Sequence, residues 1–230
     1  MNEEHSVNRV EKKYFISESQ RYQLQRYFAK ILHQDPNNGA NGYMVRSLYF
    51  DTLYDDDFHD KEDGLEDRQK LRLRIYNIKD NNVKLELKQK FGNYQQKETI
   101  SINRNDAIAL SAGNVDALKN YDSQLCQRIR LMMMLKQYRP KCIVEYRRFA
   151  FVYPANDIRI TFDSEIKGTI SEANIFDPNL VSTPLLLKER CIMEVKYNNF
   201  MLSYIKDAIT HSKATQTAAS KFCMVRSLVL

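Results

Sequence analysis

The chain has 230 residues, of which 43% are hydrophobic and 28% charged, the proportions of a soluble globular chain of one domain, 1–230. Its longest unbroken apolar run, Leu131 to Leu135, is far too short to cross a bilayer, and Met1-Asn2-Glu3-Glu4-His5 offers no apolar core for a secretory leader. The four cysteines form no CxxC pair and the four histidines no metal-ligand spacing, so a cytoplasmic chain with reduced thiols and no structural zinc is expected.

The net charge of +6 hides an asymmetry. Between Asp55 and Asp67 eight acids stand against one Lys61, so the basic excess of the remainder is larger than the average suggests. That excess points to a polyanionic partner: nucleic acid, nucleotides, phosphate chains or an anionic membrane surface. The acidic run lacks the central glycine and closing Glu of a calcium loop, and a solvated surface segment is expected there.

In chain order, a strand over Val7–Ile16 leads to a helix capped by Ser17, with Gln20 completing a capping box. Leu24, Tyr27, Phe28 and Ile31 give that helix its apolar stripe. After the turn at Asp35–Gly39, alternation predicts strands at Tyr43–Asp51, Arg68–Asn77, Val83–Phe91 and Gln95–Asn103. One helical stretch is expected from Asp106 to Gln137, its Leu125, Ile129, Met132 and Met133 facing a core. Strands at Lys141–Tyr153, Ile158–Ile166 and Cys191–Asn198 follow, then helices at Leu202–His211 and Thr217–Val229. The order is α+β, mostly antiparallel.

Because successive side chains point to opposite faces, each strand presents a definable polar set. The sets are Arg9, Glu11 and Lys13; Arg68, Lys70, Arg72 and Arg74; Lys84, Glu86 and Lys88; Glu145 and Arg147; Arg159, Thr161, Asp163 and Glu165; Glu194 and Lys196. A solvated sheet edge explains one such strand. Six of them, with apolar opposite faces that can pack on helices, suggest a sheet closed on itself around a charged lumen. Two cations about 7 Å apart repel by roughly 2 kcal/mol at an effective dielectric near 20. The lumen therefore needs its interleaved acids, or a bound polyanion with a metal. Lys12 and Arg148, of opposite parity, are expected at the surface or against helices, and Tyr49, Tyr76 and Tyr146 as wall or core residues.

The runs Arg9-Val-Glu-Lys-Lys13-Tyr14, Ser47-Leu-Tyr-Phe-Asp-Thr52, Arg68-Gln-Lys-Leu-Arg-Leu-Arg74, Leu85-Glu-Leu-Lys88, Val144-Glu-Tyr-Arg147, Ile158-Arg-Ile-Thr-Phe-Asp163, Met193-Glu-Val-Lys196 and Ser220-Lys-Phe222 resemble, in this order, the triphosphate tunnel metalloenzymes. Among these the chain looks most like the polyphosphate polymerase domain of the vacuolar transporter chaperone (VTC) family. Arg9 stands where the cyclase and thiamine triphosphatase branch carries the first Glu of ExExK. The resemblance implies a closed eight-stranded antiparallel β tunnel with helices outside and a C-terminal plug helix. It implies ATP as donor, inorganic polyphosphate as acceptor and product, and Mn²⁺ or Mg²⁺ as cofactor. Carried over, Lys13, Arg72, Arg74, Lys88, Arg147, Arg159 and Lys196 are the phosphate ligands, with Lys221 reaching in from the plug helix. Lys97, Arg68, Lys70 and Arg9 are further substrate contacts; Glu194 is the metal ligand, with Glu11 and Glu145 as candidate second acids. The chain lacks the family's membrane helices, so a membrane partner would be encoded separately.

Three functions fit these residues: a polymerase, a triphosphatase on the same scaffold, and a non-catalytic module binding polyphosphate or nucleic acid. Phosphoryl transfer needs positioning and charge neutralisation, which Arg, Lys and a hard divalent ion supply. No P-loop occurs, and the absence of any RNP-like, zinc-finger or helix-turn-helix signal argues against nucleic acid.

Overall fold

The computed structural model of the chain describes residues 9–92, 94–170 and 174–229. The elements run β1 (Arg9–Ser17), α1 (Glu18–Phe28), β2 (His33–Gln34), β3 (Tyr43–Asp51), α2 (Asp56–Glu62), β4 (Arg68–Ile75), β5 (Asn82–Phe91), β6 (Tyr94–Asn103) and α3 (Arg104–Ser111). There follow α4 (Gln124–Leu135), β7 (Arg139–Tyr153), β8 (Ile158–Thr169), β9 (Thr183–Pro184), β10 (Arg190–Asn198), α5 (Ser203–His211), β11 (Thr215–Thr217) and α6 (Lys221–Arg226). The chain is α+β, with antiparallel pairing throughout the described ladders.

It forms two compact units, each woven from separate stretches of sequence. The first comprises the chain up to Met44, Tyr146–Ile166 and Leu186–Ala219. The second comprises Val45–Glu145, Lys167–Leu185 and the chain from Ser220. In the first, β1 pairs with β10 over nine residues and with β11 on its other side, and β10 continues to β8. One face of this ladder is apolar: Ile16, Met193, Val195, Ile160 and Phe162 pack with Leu24 and Phe28 of α1 and Ile205 and Ile209 of α5. The rings of Phe28 and Phe151 meet edge-on at 6.2 Å. Each such fully buried side chain contributes roughly 1.5–3 kcal/mol. The helix cap read from sequence is present: Ser17 Oγ accepts from the Gln20 amide, and Gln20 Oε1 accepts from the Ser17 amide.

In the second unit β3, β4, β5 and β6 form a meander. Leu71, Leu73, Ile75, Leu85, Leu87 and Ile102 are buried, α3 contacts β5 and β6, and α4 contacts β6. Two expectations are corrected here. The single helix over Asp106–Gln137 is two helices and a 3-10 turn. Gly113, at φ +88°, ends the first, and Ser123 caps the second, its hydroxyl accepting from the Cys126 amide. The acidic run is not merely a solvated segment. Asp51 accepts from the amides of Thr52, Asp57 and Phe58 and nucleates α2, which buries Asp57, while the buried Asp55 pairs with Lys141 and Arg226. Eleven strands are described, and among the described residues no pairing joins the two ends of either unit's ladder; the mostly antiparallel α+β class is as expected.

Gly42 holds the approach to β3 in the first unit. Its φ of +79° is left-handed, and a Cβ there would lie 2.2 Å from the Arg148 carbonyl oxygen. Gly42→Ala therefore combines backbone strain with an immovable clash, and should cost at least about 2 kcal/mol. Denaturant unfolding of the variant checks this; an unchanged midpoint would contradict the close approach.

Candidate functional site

The charged face of the second unit is built by register. Across β4, β5 and β6 the rows are Arg74–Lys84–Ser101, Arg72–Glu86–Thr99, Lys70–Lys88–Lys97 and Arg68–Lys90–Gln95. On β3, Ser47 lies opposite Arg74 and Tyr49 opposite Arg72. Cations thus crowd one face, and Glu86, only 2% exposed, organises them. Its carboxylate takes Arg72 Nε at 2.6 Å, Lys97 Nζ at 2.5 Å and Arg74 Nη1 at 3.6 Å. Burial opposes ionisation of Glu86, but Arg72, Arg74 and Lys97 outweigh it and hold its pKa down, at about 2.

Tyr49 completes this cluster. Its Oη accepts from Arg72 Nη1 at 2.9 Å, and its ring meets Phe222 of α6 at 5.2 Å. Burial would raise its pKa, yet Arg72, Arg74 and Lys70 bring it below the ordinary phenol value. Tyr49 is therefore a buried wall residue, as expected, but one that touches the cations directly. Tyr76 is exposed. Lys70 Nζ donates to Ser220 Oγ at 2.7 Å and lies over the Phe222 ring, so the start of α6, with Lys221 as its first residue, adjoins the lysine row. Arg68 sits at the edge of this face and donates to the Leu65 carbonyl.

The first unit has its own charged face, on the side of β1, β10 and β8 opposite the apolar core. Its rows are Lys13–Glu194–Thr161 and Glu11–Lys196–Arg159. Lys196 Nζ lies 2.7 Å from Glu194 and 3.7 Å from Glu11, while Lys13 Nζ is 3.3 Å from Glu11. Arg159 is held by Asp35 at 2.6 Å and donates to Tyr43 Oη at 3.1 Å. Burial works to raise the Asp35 pKa, and the Asn37 and Arg159 hydrogen bonds reverse this. Arg9 lies in β1, but its side chain is outside the described residues.

Strand β7 reverses the expected parity. Arg147 and Glu145 share their parity with Phe149, Phe151 and Tyr153, which pack into the apolar core of the first unit. Arg147 is accordingly half-exposed and paired with Glu165 at 3.6 Å. Arg148, expected at the surface or against helices, is instead partly buried in a bidentate pair with Asp163 at 2.7 and 2.8 Å, and lies over the Tyr146 ring. Burial opposes its charge, and the Asp163 carboxylate outweighs that and keeps it ionised. Glu86 and Asp163 stand on the charged faces as alternation predicts, whereas Arg148 and Asp35 are site neighbours that the sequence reading did not place there. The common parity of Arg147 with three aromatic residues was the available signal for Arg148.

The carboxylates can be tested against Mn²⁺ or Mg²⁺. Glu194 and Glu11 are hard oxygen donors within 4 Å of one lysine ammonium, which suits such an ion. Among the described residues no three His, Cys, Asp or Glu side chains converge, so the remaining ligands would be water and substrate oxygens. Glu145 fits least, because Arg46 at 2.5 Å and Lys167 at 2.8 Å hold its two oxygens more closely than Lys13 at 3.3 Å and Lys196 at 3.7 Å hold those of Glu11.

A pH dependence follows from Glu86. A carboxylate with a lowered folded pKa contributes stability that is present above its unfolded value of 4.5 and lost as pH falls toward about 2. Glu86→Gln should remove that acid-dependent loss between pH 4.5 and 2 and cost about 3 kcal/mol near neutrality, because three cations lose their buried partner. Unfolding measured over that range would contradict the arrangement if variant and parent ran parallel.

The VTC domain model matches residues 8–230. No curated protein matches. Among solved structures, an adenylyl cyclase candidate from Hippeastrum with a dominant triphosphatase activity superposes with a TM-score of 0.56 at 14% identity, covering 96% of this chain and 97% of its own. An adenylate cyclase candidate from Bacillus halodurans gives a TM-score of 0.51 at 14% identity, covering 93% and 95%. At such identities these two share the fold. The family match spans nearly the entire sequence, and the chain belongs to the VTC domain family.

Proposed function

We propose that the chain is a polyphosphate polymerase that transfers the γ-phosphoryl group of ATP to the end of a growing phosphate chain, with Mn²⁺ or Mg²⁺. The observation that carries this reading is the cation array around Glu86: two guanidinium groups and a lysine converge on one buried carboxylate, an arrangement suited to exchanging that anion for phosphate oxygens. Membership of the VTC domain family supports the polymerase over other uses of the same charges. In this reading the strands close into the eight-stranded tunnel that the family implies, with α6 as its plug.

The chemistry matches the side chains present. The bond between the γ-phosphorus and its bridging oxygen breaks, ADP leaves with the electron pair, and a terminal oxygen of the acceptor chain bonds to phosphorus. That acceptor is already ionised near neutral pH and needs no general base. Arg72, Arg74, Arg159 and Arg148 grip phosphate oxygens in planar pairs, while Lys13, Lys70, Lys88, Lys97, Lys196 and Lys221 supply point charges. Arg147, exposed on the other parity, leaves this set in favour of Arg148. Glu194 and Glu11 would hold the divalent ion, which when bound neutralises charge developing on the phosphates.

A triphosphatase is the second reading, favoured by the triphosphatase activity of the similar Hippeastrum protein. The two differ in whether water or a phosphate chain reaches the γ-phosphorus. No described helix is long and apolar enough to cross a membrane; a cytoplasmic assembly with a separate membrane partner is part of this reading.

Purified protein incubated with ATP and Mn²⁺ separates these readings by the length of its products. Chains longer than three phosphates, formed with ADP, are expected; free phosphate without chains would establish the triphosphatase instead. Glu194→Ala should lower turnover by at least about a hundredfold while tripolyphosphate binding persists, since one metal ligand and none of the phosphate-binding cations is lost. Unchanged turnover would remove Glu194 from the metal site.

A further inference from the structure

Among the described residues, two polar atoms on the charged face of the first unit are buried without a hydrogen-bond partner, Asn198 Oδ1 at its margin and Thr161 Oγ1 beside Glu194. Thr161, 4% exposed, presents a buried Oγ1 that makes no hydrogen bond, although a buried hydroxyl without a partner costs stability. Its surroundings are ionic. It lies in register with Glu194 of β10, in the same row as Lys13 of β1, and two residues from both Arg159 and Asp163 on its own strand. Val would fill the same volume without a cost in unmade hydrogen bonds. A polar group retained at a stability cost inside a charged face marks a place where a ligand completes the bonding.

We propose that Thr161 is a substrate-contacting residue, whose hydroxyl donates a hydrogen bond to a phosphate oxygen of a bound triphosphate beside Glu194. This rests on the phosphoryl-transfer reading above and adds a neutral donor to a set otherwise made of cations. Lys13, Lys196 and Arg159, the neighbours on this face, carry long flexible heads, and an anion that draws them to itself gains the hydroxyl between them. A charged hydrogen bond of this kind corresponds to about a tenfold change in affinity. The hydroxyl cannot take part in bond making. Its contribution is orientation of the phosphate relative to Glu194.

The test is calorimetric titration of tripolyphosphate, at fixed Mn²⁺, into the parent chain, Thr161→Val and Thr161→Ser, with thermal unfolding of each in the absence of anion. Thr161→Val should bind about tenfold more weakly while unfolding at the parent temperature or above it, because the unpaired hydroxyl is gone. Thr161→Ser, which keeps the hydroxyl, should bind within about threefold of the parent. Equal binding by the parent and Thr161→Val would overturn the assignment and leave the phosphoryl-transfer reading standing. A marked fall in the unfolding temperature of Thr161→Val would also overturn it, showing a hydroxyl that serves the fold. A parent that binds no tripolyphosphate would overturn the assignment together with the reading on which it rests.

Discussion

Crowding like charges on one face of a β-sheet is the constraint from which the rest of this structure follows. Neighbouring strands place Lys70, Lys88 and Lys97 side by side, with Arg72 and Arg74 in the next rows. Each uncompensated pair at such spacings costs on the order of 2 kcal/mol. The chain meets that cost with acids set among the cations: Glu86 in the second unit, and Glu11, Glu194, Asp35 and Asp163 in the first. The carboxylates fix the cations in place before any substrate arrives, so less ordering remains to be done on binding. Because each acid is buried or partly buried, its bonds to Arg and Lys persist at ionic strengths that would screen a surface pair.

The opposite faces explain why the charges can be held so firmly. In the first unit α1 and α5 cover an aromatic and aliphatic layer that leaves β1, β8 and β10 little freedom to shift register. A one-residue slip would exchange Glu194 and Lys196 for Met193 and Val195, moving apolar side chains into the ionic rows and charge into the core. The same hydrophobic pattern that builds the fold therefore sets which residues stand on the charged face.

Much of this was legible in the alternation itself. The rows through Arg72, Glu86, Glu194 and Lys196, the capped α1 and the apolar outer faces follow from period-two patterning and local capping chemistry. The parity of β7 was misread because Glu145 and Arg147 are charged, and charge alone was taken to mark the polar face. Phe149, Phe151 and Tyr153 share their parity and bury more apolar area than two charges can oppose, so the strand turns the other way and Arg148 goes inside. The acidic run hid α2 for a related reason. Its helix starts from a tertiary bond pattern, Asp51 receiving three amides, which spacing within Asp55–Asp67 does not reveal. Glu145 pairs with Arg46 ninety-nine positions away, a contact that local pattern cannot supply.

The central claim is that the buried carboxylates stand where phosphate oxygens bind. A crystal structure of the chain with tripolyphosphate and Mn²⁺ tests it most directly. The account predicts phosphate oxygens within hydrogen-bonding distance of the Arg72 and Arg74 guanidinium groups, with the bond from Lys97 to Glu86 lengthened. Density for the anion only on exposed lysines, with the Glu86 cluster unchanged, would contradict it.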